Sequence, residues 1–286
     1  MAHTEYSWMT KEHSKLFAQA WTPDGDVKAV LALVHGLGEH TGRYQNVAMM
    51  LNREGYALIG ADLRGHGRSE GPRGHFSYAE ALNDIDLLIA QAQQLFPGKP
   101  VFLYGHSLGG NLVLYYAMKR LPTSLQGIIS TSPGLGAATP VPGWKLFLAR
   151  IMKGISPSMT MDNGLDLTGL SHNPSVIAAY KSDPLVHPLI SARLGWDLLQ
   201  SGPWLVEHAA DFPPIPLLIM QGSADRIVDP AATQKFAKNI KNAEVTFQKW
   251  EGGYHELHNE PNRDEVFKVL LHWLEKYPLL QTKAAA

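Results

Sequence analysis

Short apolar runs alternating with longer amphipathic stretches restrict what this chain can fold into. The runs are Val27–Val34 (VKAVLALV), Tyr56–Ala61 (YALIGA), Val101–Tyr104 (VFLY), Gly127–Ser130 (GIIS), Pro216–Met220 (PLLIM) and Glu244–Lys249 (EVTFQK). Most are apolar on both faces, the pattern of central strands in a sheet covered on both sides. Between them, Arg43–Glu54 places Tyr44, Val47 and Leu51 on one helical face and stops at Gly55. Tyr78–Phe96 does the same with Leu82, Ile85, Ile89 and Ala92, and Asp264–Lys276 closes the series. This alternation predicts an α/β fold, a mainly parallel sheet flanked by helices on both faces. Leu16–Thr22 is a candidate antiparallel strand at one edge.

The alternation breaks between about Pro133 and Pro214, in a stretch rich in Gly, Pro, Ser and Asn. One amphipathic helix stands out there, Gly143–Ile155, with Trp144, Phe147, Leu148, Ile151, Met152 and Ile155 on one side. Core strands are expected before and after this gap, so residues 135–210 read as an inserted cap on a core formed by 1–134 and 211–286. With 286 residues, 45% of them hydrophobic, there is material for a substantial core. A formal charge of −1 speaks against a nucleic-acid partner. The absence of cysteine removes thiolate nucleophiles, disulfides and cysteine-based metal sites. No signal peptide is visible at the N-terminus, and no apolar run reaches the roughly 18 residues of a membrane span. A cytoplasmic or peripheral membrane location is the expectation.

Gly105-His106-Ser107-Leu108-Gly109 follows the run VFLY and precedes the helical stretch Asn111–Arg120. Gly-x-Ser-x-Gly alone is a weak signal. Placed between strand and helix it describes a sharp turn that strains the serine backbone and lifts its oxygen above the sheet. Flanking glycines leave room for that turn, and the helix N-terminus favours negative charge beside it. Four further segments accompany it: His35-Gly-Leu-Gly-Glu-His40, Asp62-Leu-Arg-Gly-His-Gly-Arg-Ser69, Gly222-Ser-Ala-Asp225 and Tyr254-His-Glu-Leu-His258. With these the chain resembles α/β-hydrolases of the monoacylglycerol lipase and lysophospholipase family, in family order from residue 35 to residue 258.

The resemblance implies an α/β-hydrolase fold and a catalytic triad in the chain order serine, acid, histidine, with Ser107 as nucleophile. Two aspartates compete for the acid. Asp229 precedes Pro230 and the helical run Ala231–Ile240, where it suits an N-cap with proline at N1, which leaves Asp225 to orient the base. Two histidines, His255 and His258, compete for the base, and composition does not separate them. The family pattern puts the catalytic histidine directly after the tyrosine, which selects His255. Leu108 follows the nucleophile and offers one oxyanion-hole N–H, and the resemblance points to the backbone of Leu37 for the other. It also implies that Glu39 and Tyr180 contact a glycerol headgroup. The Asp62–Ser69 motif is taken as a hydrogen-bonded structural turn.

No cofactor and no metal are expected. Gly36-Leu-Gly-Glu-His-Thr-Gly42 has its third glycine one position too late for a dinucleotide fingerprint, and His255-Glu-Leu-His258 is one residue short of a zinc helix. Ser107 argues against the epoxide- and halide-processing relatives, which use an aspartate nucleophile. Within the family, the expected activity is cleavage of monoacylglycerols to fatty acid and glycerol. The alternatives are a broader carboxylesterase, lysophospholipase, feruloyl-type esterase or acyltransferase, and, outside catalysis, a hydrolase-like receptor. The apolar face of Gly143–Ile155 either roofs an acyl-chain pocket or packs the cap onto the core. Lys145, Arg150 and Lys153 either let the helix rest transiently on a membrane surface or form a solvated face.

Overall fold

The computed structural model describes residues 1–139 and 141–277, save the side chain of Lys145. In chain order the strands are β1 (Ala2–Met9), β2 (Lys15–Thr22), β3 (Ala29–Val34), β4 (Tyr56–Ala61), β5 (Val101–His106), β6 (Gly127–Thr131), β7 (Thr160–Asp162), β8 (Leu189–Ser191), β9 (Leu217–Gly222) and β10 (Val245–Trp250). The helices are α1 (Gln45–Arg53), α2 (Tyr78–Leu95), α3 (Leu108–Arg120), α4 (Gly143–Ile155), α5 (Pro174–Ser182), α6 (Ala192–Glu207), α7 (Pro230–Asn239) and α8 (Arg263–Glu275).

Eight strands form one sheet in the order β1-β2-β4-β3-β5-β6-β9-β10. From β4 to β10 every pairing is parallel, and β1 and β2 extend one edge antiparallel. Strand residues divide by parity between two apolar layers. Val30, Ala32 and Val34 of β3 join the layer containing Ile85 of α2 and Leu112 of α3. Ala29, Leu31 and Leu33 join the layer containing Leu51 of α1 and Leu270 of α8. Both faces are therefore covered, which is why the central strands are apolar throughout.

Local chemistry sets the helix starts. Ser77 and Glu80 form a reciprocal capping box at α2. Asp229 caps α7, with Pro230 in its first turn.

The segment between β6 and β9 holds more order than its composition predicted. Besides α4 it contains α5, α6 and the antiparallel pair β7–β8. Helix α6 encloses Pro203 and Gly202, residues that read as breakers in isolation but are accommodated where the helix packs on the core. Strand β1 was equally invisible: only Trp8 of its eight residues is buried, so its sequence lacks a core-facing pattern and backbone pairing with β2 fixes it. Among the described residues no helix is long and apolar enough to cross a membrane.

Candidate active site

Strand β5 ends at His106 and α3 starts at Leu108, so Ser107 alone turns the chain. Its backbone sits at φ 57°, ψ −117°, a region that costs a non-glycine residue about 1–3 kcal/mol. Close packing imposes the turn. A Cβ on Gly105 would lie 2.2 Å from the Gly109 carbonyl oxygen, and one on Gly109 would lie 2.0 Å from that of Val34. The Ser107 N–H donates to the Thr131 carbonyl at 3.0 Å, and the Ser107 carbonyl accepts from the N–H groups of Asn111 and Gly134. The side chain is left half-buried at the carboxyl edge of the sheet, against the positive end of α3.

The turn after β3 presses on this serine: a Cβ on Gly36 would sit 3.2 Å from Ser107 Cβ. Within it, the Gly36 N–H donates to Glu39 Oε1 at 2.7 Å, and the Gly38 carbonyl accepts from the His187 N–H at 3.0 Å. No protein acceptor takes the intervening Leu37 N–H among the described residues. Leu108 opens α3, so its N–H has no i−4 carbonyl inside the helix. Two main-chain donors thus belong to segments that adjoin Ser107.

Asp225 follows β9 and His255 follows β10. Asp225 Oδ1 accepts from the N–H groups of Ile227 (2.8 Å) and Val228 (3.1 Å). Its Oδ2 accepts from Gln221 Nε2 at 3.0 Å and from His255 Nδ1 at 2.8 Å. A carboxylate only accepts, so His255 carries its proton on Nδ1 and leaves Nε2 as a base. Burial disfavours the imidazolium, but the Asp225 charge and hydrogen bond outweigh it and hold the His255 pKa above its ordinary 6.5. Burial likewise raises Asp225 and the imidazole more than compensates, leaving its carboxyl below 3.8. The Ser132 hydroxyl anchors the loop by donating to the His255 carbonyl at 2.7 Å. No hydrogen bond joins Ser107 to His255 among the described residues; in unliganded sites this link often tightens only with substrate.

The competing residues have other duties. Asp229 accepts from the Ala231 N–H at 2.9 Å as the cap of α7. His258 stacks on Tyr44 with ring centroids 5.0 Å apart and meets His106 edge-on, and neither of its nitrogens has a hydrogen-bond partner among the described residues. Asp62 accepts from the N–H groups of Thr41 (2.8 Å) and Arg68 (2.9 Å), and Arg64 forms a forked pair with Asp84. That motif is a hydrogen-bonded turn tied to the segment after β3 through Thr41 and His35.

Sequence reasoning missed a buried ionic cluster beneath these groups. Glu39 is only 3% exposed, and its carboxylate accepts from the Gly36 N–H, the Tyr44 hydroxyl (2.7 Å) and Arg43. Arg43 also makes a forked pair with Glu256 at 2.7 and 2.8 Å. Tyr180, on α5, lays its ring 4.6 Å from the Arg43 guanidinium carbon. Burial opposes charge on both glutamates, yet Arg43 draws the Glu39 carboxyl well below its usual range and lowers that of Glu256. The one sequence signal was the i,i+4 spacing of Glu39 and Arg43. Glu256 is 213 positions from its partner, and no local pattern announces it.

A parallel sheet covered on both faces, with a strained serine at a strand–helix turn and a buried Asp–His pair after two later strands, defines a serine hydrolase of α/β architecture. A family model described as serine aminopeptidase, S33, matches residues 25–262, and the chain belongs to that family of α/β-hydrolases. Over 273 residues it is 31% identical to a monoacylglycerol lipase of Mycolicibacterium smegmatis, covering 95% of this chain and 96% of the relative. An abhydrolase domain-containing protein of Dictyostelium discoideum is 36% identical over 270 residues; these make up 94% of this chain but only 28% of that longer protein. The crystal structure of a monoacylglycerol lipase from Paleococcus ferrophilus superposes with a TM-score of 0.84 at 34% identity, covering 92% of this chain and 99% of that one.

Proposed function

We propose that this protein is a serine ester hydrolase that cleaves monoacylglycerols to fatty acid and glycerol through an acyl-enzyme on Ser107. His255 Nε2 takes the Ser107 hydroxyl proton as Oγ bonds to the ester carbonyl carbon. Asp225, on the Nδ1–H, fixes the tautomer and offsets the imidazolium charge. The carbonyl oxygen becomes an oxyanion and accepts from the backbone N–H groups of Leu37 and Leu108. The carbonyl–alkoxy bond then breaks, glycerol leaves with the proton from His255, and the acyl group stays on Ser107. Water, deprotonated by the same imidazole, attacks the acyl carbon; the acyl–Oγ bond breaks, Ser107 Oγ takes the proton back from His255, and the fatty acid leaves.

The observation that carries this proposal is the buried 2.8 Å Asp225–His255 bond at the sheet edge that also presents the strained Ser107. Similarity to monoacylglycerol lipases over nearly the whole chain supports the substrate. For the headgroup, the Tyr180 hydroxyl stands beside the oxyanion turn, 3.4 Å from where a Cβ on Gly38 would lie. Glu39 has about four acceptor positions, of which protein donors use three, leaving one for a glycerol hydroxyl.

The insertion between β6 and β9 acts as a cap in this proposal, with α4 resting on a lipid surface. Support comes from the exposure of Trp144 (65%), Phe147 (66%) and Ile155 (74%). Of the three cations expected to assist, Lys153 is instead drawn over the Trp196 ring of α6 at 4.1 Å, and the Lys145 side chain lies outside the described residues. Arg150 is exposed.

The test is hydrolysis of monoacylglycerols, diacylglycerols, lysophospholipids and short p-nitrophenyl esters, with Ser107→Ala in parallel. A monoacylglycerol preference lost in the variant is the expected result. Comparable rates on every ester would remove the lipid assignment, and a variant as active as the wild type would remove the mechanism.

A further inference from the structure

The mechanism above gives Arg43 and Glu256 no part, yet they are among the most deeply buried charges in the molecule. The side chains of Arg43, Glu39 and Glu256 are 10%, 4% and 2% exposed. Removing three ions from water costs several kcal/mol for each, and apolar residues of similar volume fill such space at least as stably. A forked arginine–carboxylate pair supplies something apolar packing does not: a fixed plane and a fixed distance.

What this fork fixes follows from its neighbours. Glu256 directly follows His255, and the main chain of both is pinned, His255 N–H to the Gly169 carbonyl (3.2 Å) and Glu256 N–H to that of Leu170 (2.8 Å). Arg43 holds the Glu256 carboxylate with Nη1 and Nη2, and the same Nη1 also donates to Glu39. Glu39 grips the Gly36 N–H, and Gly36 lies against Ser107. His255, Glu256, Arg43, Glu39, Gly36 and Ser107 thus form a continuous chain of covalent, hydrogen-bonded and packed contacts around the reacting atoms.

We propose that the Arg43–Glu256 pair is a positioning unit, which holds the catalytic histidine in register with the oxyanion turn and the nucleophile. The inference rests on the serine-hydrolase mechanism above and deepens it. Neither residue touches the ester. Both act through His255 and Glu39.

Electrostatics adds a readout that a purely structural strut would not move. His255 faces Asp225 across the 2.8 Å bond and His106 at a ring distance of 4.9 Å, with Glu256, Glu39, His258 and Arg43 in the surrounding layer. Glu256 is one of the charges that favour the His255 imidazolium. Removing it lowers the pKa of the base, so the acid limb of kcat/KM moves to lower pH.

The experiment compares Glu256→Gln, Arg43→Lys and Arg43→Lys/Glu256→Gln with the wild type. A monoacylglycerol and a p-nitrophenyl ester of the same acyl chain serve as substrates, and labelling by a fluorophosphonate probe gives a second measure of the serine. The expected result is a kcat loss of about 10- to 100-fold on both esters with KM changed less than about threefold. The double variant should lose about as much as either single one, because both substitutions break one unit. In Glu256→Gln the acid limb should also shift downward. Arg43→Lys keeps the charge and loses the fork, so it serves even if Glu256→Gln folds poorly. Full kcat in Arg43→Lys, or a loss confined to KM for the monoacylglycerol, overturns the inference and makes Arg43 a headgroup contact. A wild type that neither turns over nor takes the label overturns the mechanism and this inference with it.

Discussion

Ser107 holds a backbone geometry that its own side chain disfavours, because β5 and α3 leave no other way to present its oxygen. The left-handed φ of 57° is imposed by packing at Gly105 and Gly109. Glycine at position 107 would adopt the same geometry without the Cβ penalty, whereas alanine would keep it. Both substitutions remove the hydroxyl, so their difference isolates the strain. Ser107→Gly should unfold about 2–4 °C above Ser107→Ala, corresponding to about 1 kcal/mol after glycine's larger unfolded-state entropy is counted. Equal midpoints in a thermal melt would show that the turn stores no strain. At this scale the sequence was most legible where chemistry is local. The glycine–serine turn and the Asp229–Pro230 cap use neighbours a few residues apart. His255 and His258 were separable only by resemblance, since what distinguishes them, a carboxylate 30 positions upstream and the Tyr44 and His106 rings, is tertiary.

Among the elements, α4 departs furthest from ordinary burial. Leu148 and Ile151 are 40% and 39% exposed, adding to Trp144, Phe147 and Ile155 along one apolar face. Of the two readings open for that face, packing onto the core is not what these exposures describe. Burying Phe or Trp at a lipid interface contributes roughly 1.5–3 kcal/mol per residue when complete. Trp144→Ser/Phe147→Ser should therefore weaken sedimentation with phospholipid vesicles at least tenfold. Hydrolysis of vesicle-borne monoacylglycerol should fall more than that of a short water-soluble ester. Unchanged vesicle binding would remove α4 as the contact. Helix α4 could be read from sequence because its pattern is strong and uninterrupted. Helices α5 and α6 escaped, one through shortness and the other through its internal Gly202-Pro203, and β1 escaped because an edge strand needs backbone pairing more than apolar side chains.

The whole molecule concentrates titratable groups in its interior on the active-site side, and their signs add up to a pH dependence. His35, His66, His106 and His258 are buried, and burial pushes each below its ordinary 6.5, His106 down to about 3. The unfolded chain therefore takes protons below pH 6.5 that the native state refuses, and each such group contributes stability that is present above 6.5 and lost on acidification. The depressed carboxyls of Glu39, Glu256 and Asp225 act in the same direction at lower pH, present above the unfolded value and lost as pH falls through the folded one. His255 is the exception. Its raised pKa gives a contribution that is complete below 6.5 and lost as pH rises through the raised value. With His187, which burial also holds below 6.5, five histidines outweigh one, at about 1.4 kcal/mol per pH unit for each fully unbalanced proton. The unfolding midpoint should hold nearly level from pH 8.5 to 7.5 and fall steeply from 6.5 to 5. His258→Phe keeps a ring on Tyr44 and removes the titrating nitrogens, so it should flatten that fall by about one proton's worth. A midpoint that stays level down to pH 5 would mean that these histidines reach solvent protons without unfolding.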